Sequence, residues 1–345
     1  MTMDQDSRNG SARALVSLCM ATCLRSDLFP ESFRGLLAQT YSPLEIIVLA
    51  DGSDESSISL LKACDDPRVR WISTPKPSGM VPAWNRVVSE ARGKYFLFCA
   101  DDDVLQNKAI DRQVALLEAK SNVGFCHGDW KCIDDDGKFI GGWTSHEGDF
   151  IKSGRIEWPR YVVRTGCCMQ TTVVRTSLWR EVGGWDDDAG HPGDNSLYLK
   201  LLRVSDVGHV AQICCHYRIR TRIPDSWGKY VSNIQAFYRL SDKHLVSPPS
   251  FAAAKAASIR RQMSRHWSLY SIEALCQGQS RLQSKDFVEW ARNTIWAQSA
   301  TGVAIKWAVH FRCERLAFSI ITLGKRSKMA VKRFVTWWRQ NVGNQ

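Results

Sequence analysis

Three consecutive aspartates, Asp101, Asp102 and Asp103, close the apolar run YFLFCA (residues 95–100), and a turn Asp51-Gly52-Ser53-Asp54 closes another, LEIIVLA. Carboxylates gathered at the ends of buried runs repel one another, and loss of water raises their cost further unless a cation or hydrogen bonds compensate. Oxygen donors in that position suit a hard divalent ion, Mg²⁺ or Mn²⁺, which takes one or two carboxylates together with phosphate oxygens. The competing reading is a solvated turn that caps the next helix, since aspartate is common in turns. Asp134–Asp136, running into Gly137 between apolar flanks, reads as such a hairpin turn, and Asp186–Asp188 fits either reading. A separate carboxylate, Asp194, heads a stretch with apolar residues at helical spacing, where the helix dipole favours it and a plain cap explains it equally well.

The elements that must position these residues are legible in the hydrophobic pattern. Short apolar runs at 14–20, 44–50, 69–72, 95–99 and 123–127 read as strands buried on both faces, separated by helix-period segments near 30–39, 54–64, 81–92 and 108–119. Strand and helix in alternation predict an α/β fold with a mostly parallel sheet, right-handed crossovers and ligands beyond the carboxyl ends of its strands. The segments Ala21–Ser26, Asp51–Asp54 and Asp101–Asp103 therefore converge on one edge. From about Gly128 the pattern changes to a hairpin, a strand over 169–175, a helix over 195–204 and a β-rich stretch over 209–219. The sequence predicts a disordered N-terminus over 1–12, a main domain over 13–224 with halves meeting near 128 and 129, and a helical, basic, Trp-rich region over 225–345.

The net charge of +11 favours acidic partners such as nucleotides, phosphorylated lipids or an anionic membrane surface. No nucleic-acid-binding module underlies the basic residues, which argues against nucleic acid. Most of the 12 cysteines lie inside apolar runs, where a thiol acts as a small hydrophobe, so they are expected to be reduced and the protein cytoplasmic. No pair of CxxC motifs is present to hold zinc. The polar start MTMDQDSRNGSAR lacks the apolar core of a secretory signal, and Lys306, Arg312, Glu314 and Arg315 interrupt the most apolar C-terminal region. A soluble or peripheral protein is expected. The segment KRSKMAVKRFVTWWRQ (325–340) has the composition of a helix with one basic and one aromatic face, suited to an anionic membrane surface or to packing on a partner.

Several ordered motifs resemble the family 2 glycosyltransferases. VSLCMATCLRSDLFPESFRGLLAQTYSPLEIIVLADGSDESS is similar to the opening of that family, GMVPAWNRVVSEARGKYFLFCADDDVL to its Asn-bearing helix and DxD-type strand, and VGGWDDD with GDNSLYLKLL to its acceptor-side turn and catalytic helix start. The likeness covers roughly Ala14 to Arg220. It implies a GT-A fold, with a donor half over about 13–128 and an acceptor half over about 129–224, and inverting transfer of a sugar from a UDP, GDP or TDP donor. The acceptor would be a hydroxyl on a saccharide or lipid-linked molecule, in bacterial surface polysaccharide, lipopolysaccharide or exopolysaccharide assembly, with the enzyme cytoplasmic and peripheral at the inner membrane face.

Carried over position by position, the resemblance gives Ala21 and Cys23 the base pocket, Asp51 a hydrogen bond to the base and Asp101 the ribose and diphosphate. Asp102 would bind a Mn²⁺ or Mg²⁺ ion with Asp103 beside it, Trp185 and Asp186 would lie on the acceptor side, and Asp194 would be the general base. The sequence departs from the family in having Cys23 for a base-stacking aromatic, Gly193 for the acid before the base, and Arg220 for a metal-side histidine. Arginine there would contact diphosphate and cannot ligate a cation. Without a cation and diphosphate to offset the aspartates, their loop is expected to be poorly ordered. Two rivals are a nucleotidyltransferase, which needs a Gly-rich phosphate loop that ATCLRSD lacks, and a non-catalytic scaffold on the same fold.

Overall fold

The structure, a computed structural model, describes residues 13–25, 27–52, 55–145, 147–190, 192–220 and 226–276. The predicted disordered segment 1–12 and the two-faced helix over 325–340 lie outside the described residues. The chain divides into two units at 158/159, 165/166 and 224/225.

The first unit opens with strands that the apolar runs predict. β1 (Val16–Thr22), β2 (Leu44–Asp51), β3 (Val69–Thr74) and β4 (Tyr95–Phe98) alternate with α1 (Phe29–Leu37), α2 (Glu55–Lys62) and α3 (Met80–Ser89). β1 pairs in parallel with both β2 and β4, and β2 with β3. Val16, Leu18 and Met20 of β1, with Ile46, Val48 and Ala50 of β2, pack in one core with Phe29, Phe33 and Leu36 of α1, and are buried almost completely. Each such aliphatic side chain contributes roughly 2 kcal/mol by leaving water, so this sheet face fixes where the strand ends lie.

After β4 come β5 (Val104–Leu105), α4 (Asp111–Ala119), β6 (Val123–Ile133), β7 (Phe139–Trp143), β8 (Phe150–Lys152), α5 (Gly154–Val163), a 3-10 turn (Met169–Thr171), β9 (Thr172–Arg175), α6 (Thr176–Glu181), α7 (Gly193–Leu201) and β10 (Asp206–Arg218). The strand order is β3-β2-β1-β4-β9-β6-β10-β5, with β7 on β6 and β8 on β10. The parallel arrangement holds in the first half and in the β6–β10 pair; β9 runs antiparallel to β4 and β6, and β5, β7 and β8 also pair antiparallel, so the sheet as a whole is mixed.

Gly128, which in the sequence marks a change of pattern, lies inside β6 rather than between elements. A Cβ there would come within 2.3 Å of the Cys214 sulfur, beside the irregularity in the β6–β10 register. The glycine permits close approach of two backbones instead of a turn. β5 is only two residues long, yet Leu105 pairs with Cys215 and Val104 with His216 of β10, which holds the chain just beyond the aspartate triplet.

In the second unit, α8 (Ser226–Val246), α9 (Ser250–Ala253) and α10 (Ala256–Cys276) follow one another. Phe237 of α8 lies 4.6 Å from Trp267 of α10 between ring centroids, and Arg260 bonds Asp242 at 2.9 Å. Ile234, Leu240, Ile259 and Met263 are buried. Among the described residues no helix is long and apolar enough to cross a membrane.

Candidate active site

Parallel pairing brings the carboxyl ends of β1, β2 and β4 to one edge, with Thr22 opposite Ala50 and Cys19 opposite Phe98. Asp51, the last residue of β2, is buried. Its carboxylate accepts hydrogen bonds from Thr74 Oγ1 (2.7 Å), Ser78 Oγ (2.9 Å) and Ser78 N (2.8 Å). A carboxylate offers about four acceptor positions, so one remains for a further N–H. Gly52 follows at φ 64°, and a Cβ would sit 2.4 Å from Pro77, which accounts for the Asp-Gly pair. Cys23 is half-buried; burial raises its thiol pKa, and the nearby charges of Asp51 and Asp101 raise it further. Ala21, Cys23, Asp51 and Asp101 thus share one corner of the edge.

The three aspartates of the triplet occupy three different environments. Asp101 is buried and accepts the Cys23 N–H at 3.4 Å; burial pushes its pKa up to about 6, opposed by Arg25 and reinforced by Asp102. Asp102 is bonded by the Arg25 guanidinium, whose Nε also lies 3.9 Å from Asp101 Oδ1. Asp103 is 1% exposed and turned inward, its Oδ1 accepting the Arg218 N–H at 2.7 Å while Oδ2 is buried without a partner. Burial and the neighbouring Asp102 hold the Asp103 carboxyl well above the ordinary aspartate range. This differs from the expectation that Asp103 stands beside Asp102 at an ion: residue 103 is where the chain turns back into the sheet as β5, so its side chain points to β10.

Arg218, which the sequence reading passed over in favour of Arg220, braces the loop. Its side chain donates to the carbonyls of Asp102 (2.9 Å) and Asp134 (2.9 Å) and to Glu31 Oε2 (2.6 Å). The hairpin turn at Asp134–Asp136 therefore does more than reverse the chain. Arg220 lies just past β10, 3.2 Å from Asp135 Oδ1 and 3.7 Å from Asp27 Oδ2. Contacts within the protein compensate the aspartate loop: the guanidinium groups of Arg25 and Arg218 and the backbone N–H groups of Cys23 and Arg218 all bond to it. The sequence carries only a general signal, that three adjacent carboxylates demand cations; nothing in it picks out Arg25 or Arg218 as their source.

On the other half, Trp185 is 3% exposed and packs edge-on against Trp84, Phe96 and Phe98, each at 6.0 Å. Asn85 of α3 clamps the backbone of this turn, accepting the Trp185 N–H and donating to its carbonyl, each at 3.0 Å, and donates to Asp187 at 2.8 Å. Asp186 is ion-paired with Lys200 of α7 at 2.9 Å, and its N–H donates to Ser196 Oγ at 3.0 Å. Trp185 and Asp186, expected on the acceptor side, are thus engaged with the fold itself and fix the start of α7.

Asp194 stands in the first turn of α7 and accepts the Asn195 N–H at 2.8 Å. Burial pushes its pKa up to about 6. A Cβ on Gly193 would lie 2.8 Å from both Trp84 Cζ3 and Val81 Cγ2. That close approach is the steric reason why no acidic side chain precedes Asp194. Asp194 and the triplet act on the same neighbour: the Tyr217 phenol of β10, its pKa raised chiefly by burial, also feels the charges of Asp103, Asp102 and Asp194.

Comparison with known proteins places this geometry. The family described as glycosyl transferase family 2 matches residues 17–179. These residues belong to that family. An uncharacterised glycosyltransferase of Rickettsia bellii is 29% identical over 208 residues, covering 60% of this chain and 29% of its own length. The Escherichia coli UDP-Glc:α-D-GlcNAc-diphosphoundecaprenol β-1,3-glucosyltransferase is 23% identical over 208 residues, covering 59% of this chain and 77% of its own. The match thus spans less than a third of the Rickettsia protein and most of the E. coli enzyme. S. aureus TarS 1–349 superimposes with a TM-score of 0.63 at 12% identity, covering 90% of this chain and 91% of that one, and it has been solved with UDP-GlcNAc and with UDP. The family 2 domain accordingly has the GT-A fold, a mixed sheet with flanking helices.

Among the described residues no group of three or more His, Cys, Asp and Glu is arranged to hold a metal ion. Two carboxylates, Asp101 and Asp102, do face the strand edge. A Mg²⁺ or Mn²⁺ ion that takes one or two carboxylates and completes its shell with phosphate oxygens and water fits that donor set.

Proposed function

We propose that the chain is an inverting glycosyltransferase that moves a sugar from a nucleoside-diphosphate donor, with UDP, GDP and TDP as the candidate carriers, to an acceptor hydroxyl. The observation that carries the proposal is the presence of two acidic groups on separate elements of a GT-A domain, Asp102 beyond β4 and Asp194 in the first turn of α7. Inversion needs a base on the face of the sugar opposite the leaving diphosphate, and a single carboxylate cannot serve both faces.

In this reading the base and ribose lie along Ala21, Cys23, Asp51 and Asp101. Asp194 takes the proton from the attacking hydroxyl: with a pKa of about 6 it is ionised near neutral pH yet basic enough to accept that proton. Asp102 would hold a Mn²⁺ or Mg²⁺ ion, which when bound neutralises charge on the departing diphosphate. The activity of the E. coli relative, transfer to a diphosphoundecaprenol-linked sugar, supports a lipid-linked saccharide acceptor in surface polysaccharide assembly and a place at the cytoplasmic membrane face.

Calorimetry with UDP, GDP and dTDP, with and without Mn²⁺, tests the donor site; binding of none of them would overturn the proposal. Asp194→Asn is expected to keep nucleotide affinity and to lower transfer by roughly 10²–10⁴-fold. An active Asn variant removes Asp194 from the mechanism.

A further inference from the structure

The Arg25 side chain occupies the position where the acidic edge calls for a positive charge. Its backbone is anchored, since its carbonyl accepts the N–H groups of Leu28 (3.1 Å) and Phe29 (2.9 Å) at the head of α1. Leu24, immediately before it, has φ 51° and is 67% exposed. A leucine in the left-handed region costs roughly 1–2 kcal/mol, and nothing apolar is gained there by burial. The strained turn serves to deliver Arg25. From this anchor the guanidinium bonds Asp102 and approaches Asp101, while 36% of the side chain stays exposed.

With the guanidinium on one oxygen of Asp102, a divalent ion on the same carboxylate would lie within a few ångströms of a second positive charge, and their repulsion weakens its binding. Diphosphate resolves the conflict. A guanidinium fork matches phosphate oxygens at two points, so an arriving nucleoside diphosphate offers Arg25 a partner at least as good as Asp102.

We propose that Arg25 is a built-in counter-ion that gates Asp102. It neutralises the carboxylate while the site holds no donor, transfers to the diphosphate when the donor arrives, and only then leaves Asp102 free for a divalent cation. Donor and cation therefore bind in order, nucleotide first. This inference rests on the reading of Asp102 as the cation side of the donor site.

The test is Mn²⁺ titration of the full chain, following the spin-resonance signal of free Mn²⁺, with and without UDP, GDP or dTDP. Arg25→Gln is expected to bind Mn²⁺ without nucleotide about tenfold more tightly than the unaltered protein, the scale of one unscreened charge beside a half-buried carboxylate. The tightening caused by nucleotide should shrink by the same factor. Arg25→Lys keeps the charge and loses the fork; Mn²⁺ alone should stay weak, and the tightening by nucleotide should still shrink. If both variants match the unaltered protein in both titrations, the gate is overturned while the donor site stands. If calorimetry finds no nucleotide bound by the unaltered protein or by either variant, the donor-site reading fails instead. Arg25 lies on a half-exposed turn, and circular dichroism confirms that each variant is folded.

Discussion

The donor edge and the head of α7 both hold a carboxylate whose pKa burial pushes up to about 6, Asp101 and Asp194, but they are compensated in opposite ways. At the donor edge the compensation is charge brought from afar: Arg25 reaches Asp101 and Asp102 across more than 75 residues of sequence, and Arg218 braces the same loop from β10. At the head of α7, among the described residues, backbone N–H groups at the helix start oppose the desolvation of Asp194 and no side-chain cation does. On the counter-ion proposal, a carboxylate neutralised by a part-exposed arginine can exchange one cation for another. A carboxylate held by backbone alone has no such exchange available, and its chemistry is reduced to taking and releasing a proton.

The largest effect is expected where the donor-edge scaffold is cut. Arg218→Ala strands the carbonyls of Asp102 and Asp134 and removes the partner of Glu31, all contacts of a side chain that is 2% exposed. Loss of about 2–4 kcal/mol is expected from urea unfolding, chiefly from the two carbonyls left without their donor, since Glu31 itself is half exposed. By contrast, Asp194→Asn should cost little stability at neutral pH, because it replaces a desolvated charge with a neutral amide of the same shape. An Arg218→Ala cost under about 1 kcal/mol would mean that the triplet loop is held by something else.

Next in size is the contact that sets α7 against α3. Gly193→Ala drives a methyl group against Trp84 and Val81 and should cost about 1–3 kcal/mol, as overpacking does. Trp84→Leu in the same chain should recover part of that loss. Equal costs with and without Trp84 would show that backbone conformation, and not this contact, demands the glycine.

Much of the donor edge is legible in sequence because it depends on local pattern. Apolar runs give β1 to β4, and the strand-end rule gives Asp51 and Asp101–Asp103 a common edge. The braces are not legible, since Arg25 and Asp102 meet only once β1 and β4 pair in parallel, and nothing near Arg218 distinguishes it from Arg220. The acceptor half is harder for another reason. Gly128 suggests a break where β6 runs straight through, α5 is hidden by its internal Pro159 and weak periodicity, and the part played by Trp185 and Asp186 depends on Asn85 and Lys200, distant or on another element.

A smaller effect separates the two carboxylates by pH. Both have folded-state values near 6 against about 3.9 unfolded, so the folded state binds protons more tightly. Their contribution to stability is full below about pH 4 and is lost as pH rises through about 6. Asp194→Asn should flatten part of that decline in thermal unfolding. In the rate profile the sign reverses, because only ionised Asp194 can accept a proton: transfer should fall as pH drops below about 6. A rate that stays level down to pH 5 would argue against Asp194 as the base.

The smallest effect concerns Arg220, whose side chain is 25% exposed and whose ion-pair partner Asp27 lies open to solvent while Asp135 does not. Arg220→Ala should cost under about 1 kcal/mol in urea unfolding, the usual scale of such pairs. Its effect on nucleotide affinity is the sharper measurement. If Arg25 is the guanidinium that meets the diphosphate, Arg220→Ala should change UDP, GDP or dTDP binding by less than about threefold, well under the tenfold that corresponds to 1.4 kcal/mol. A larger loss would move the diphosphate contact from the β1 loop to the end of β10. The donor edge would then meet its ligand with two arginines, and its contrast with Asp194, which backbone N–H groups hold among the described residues, would widen.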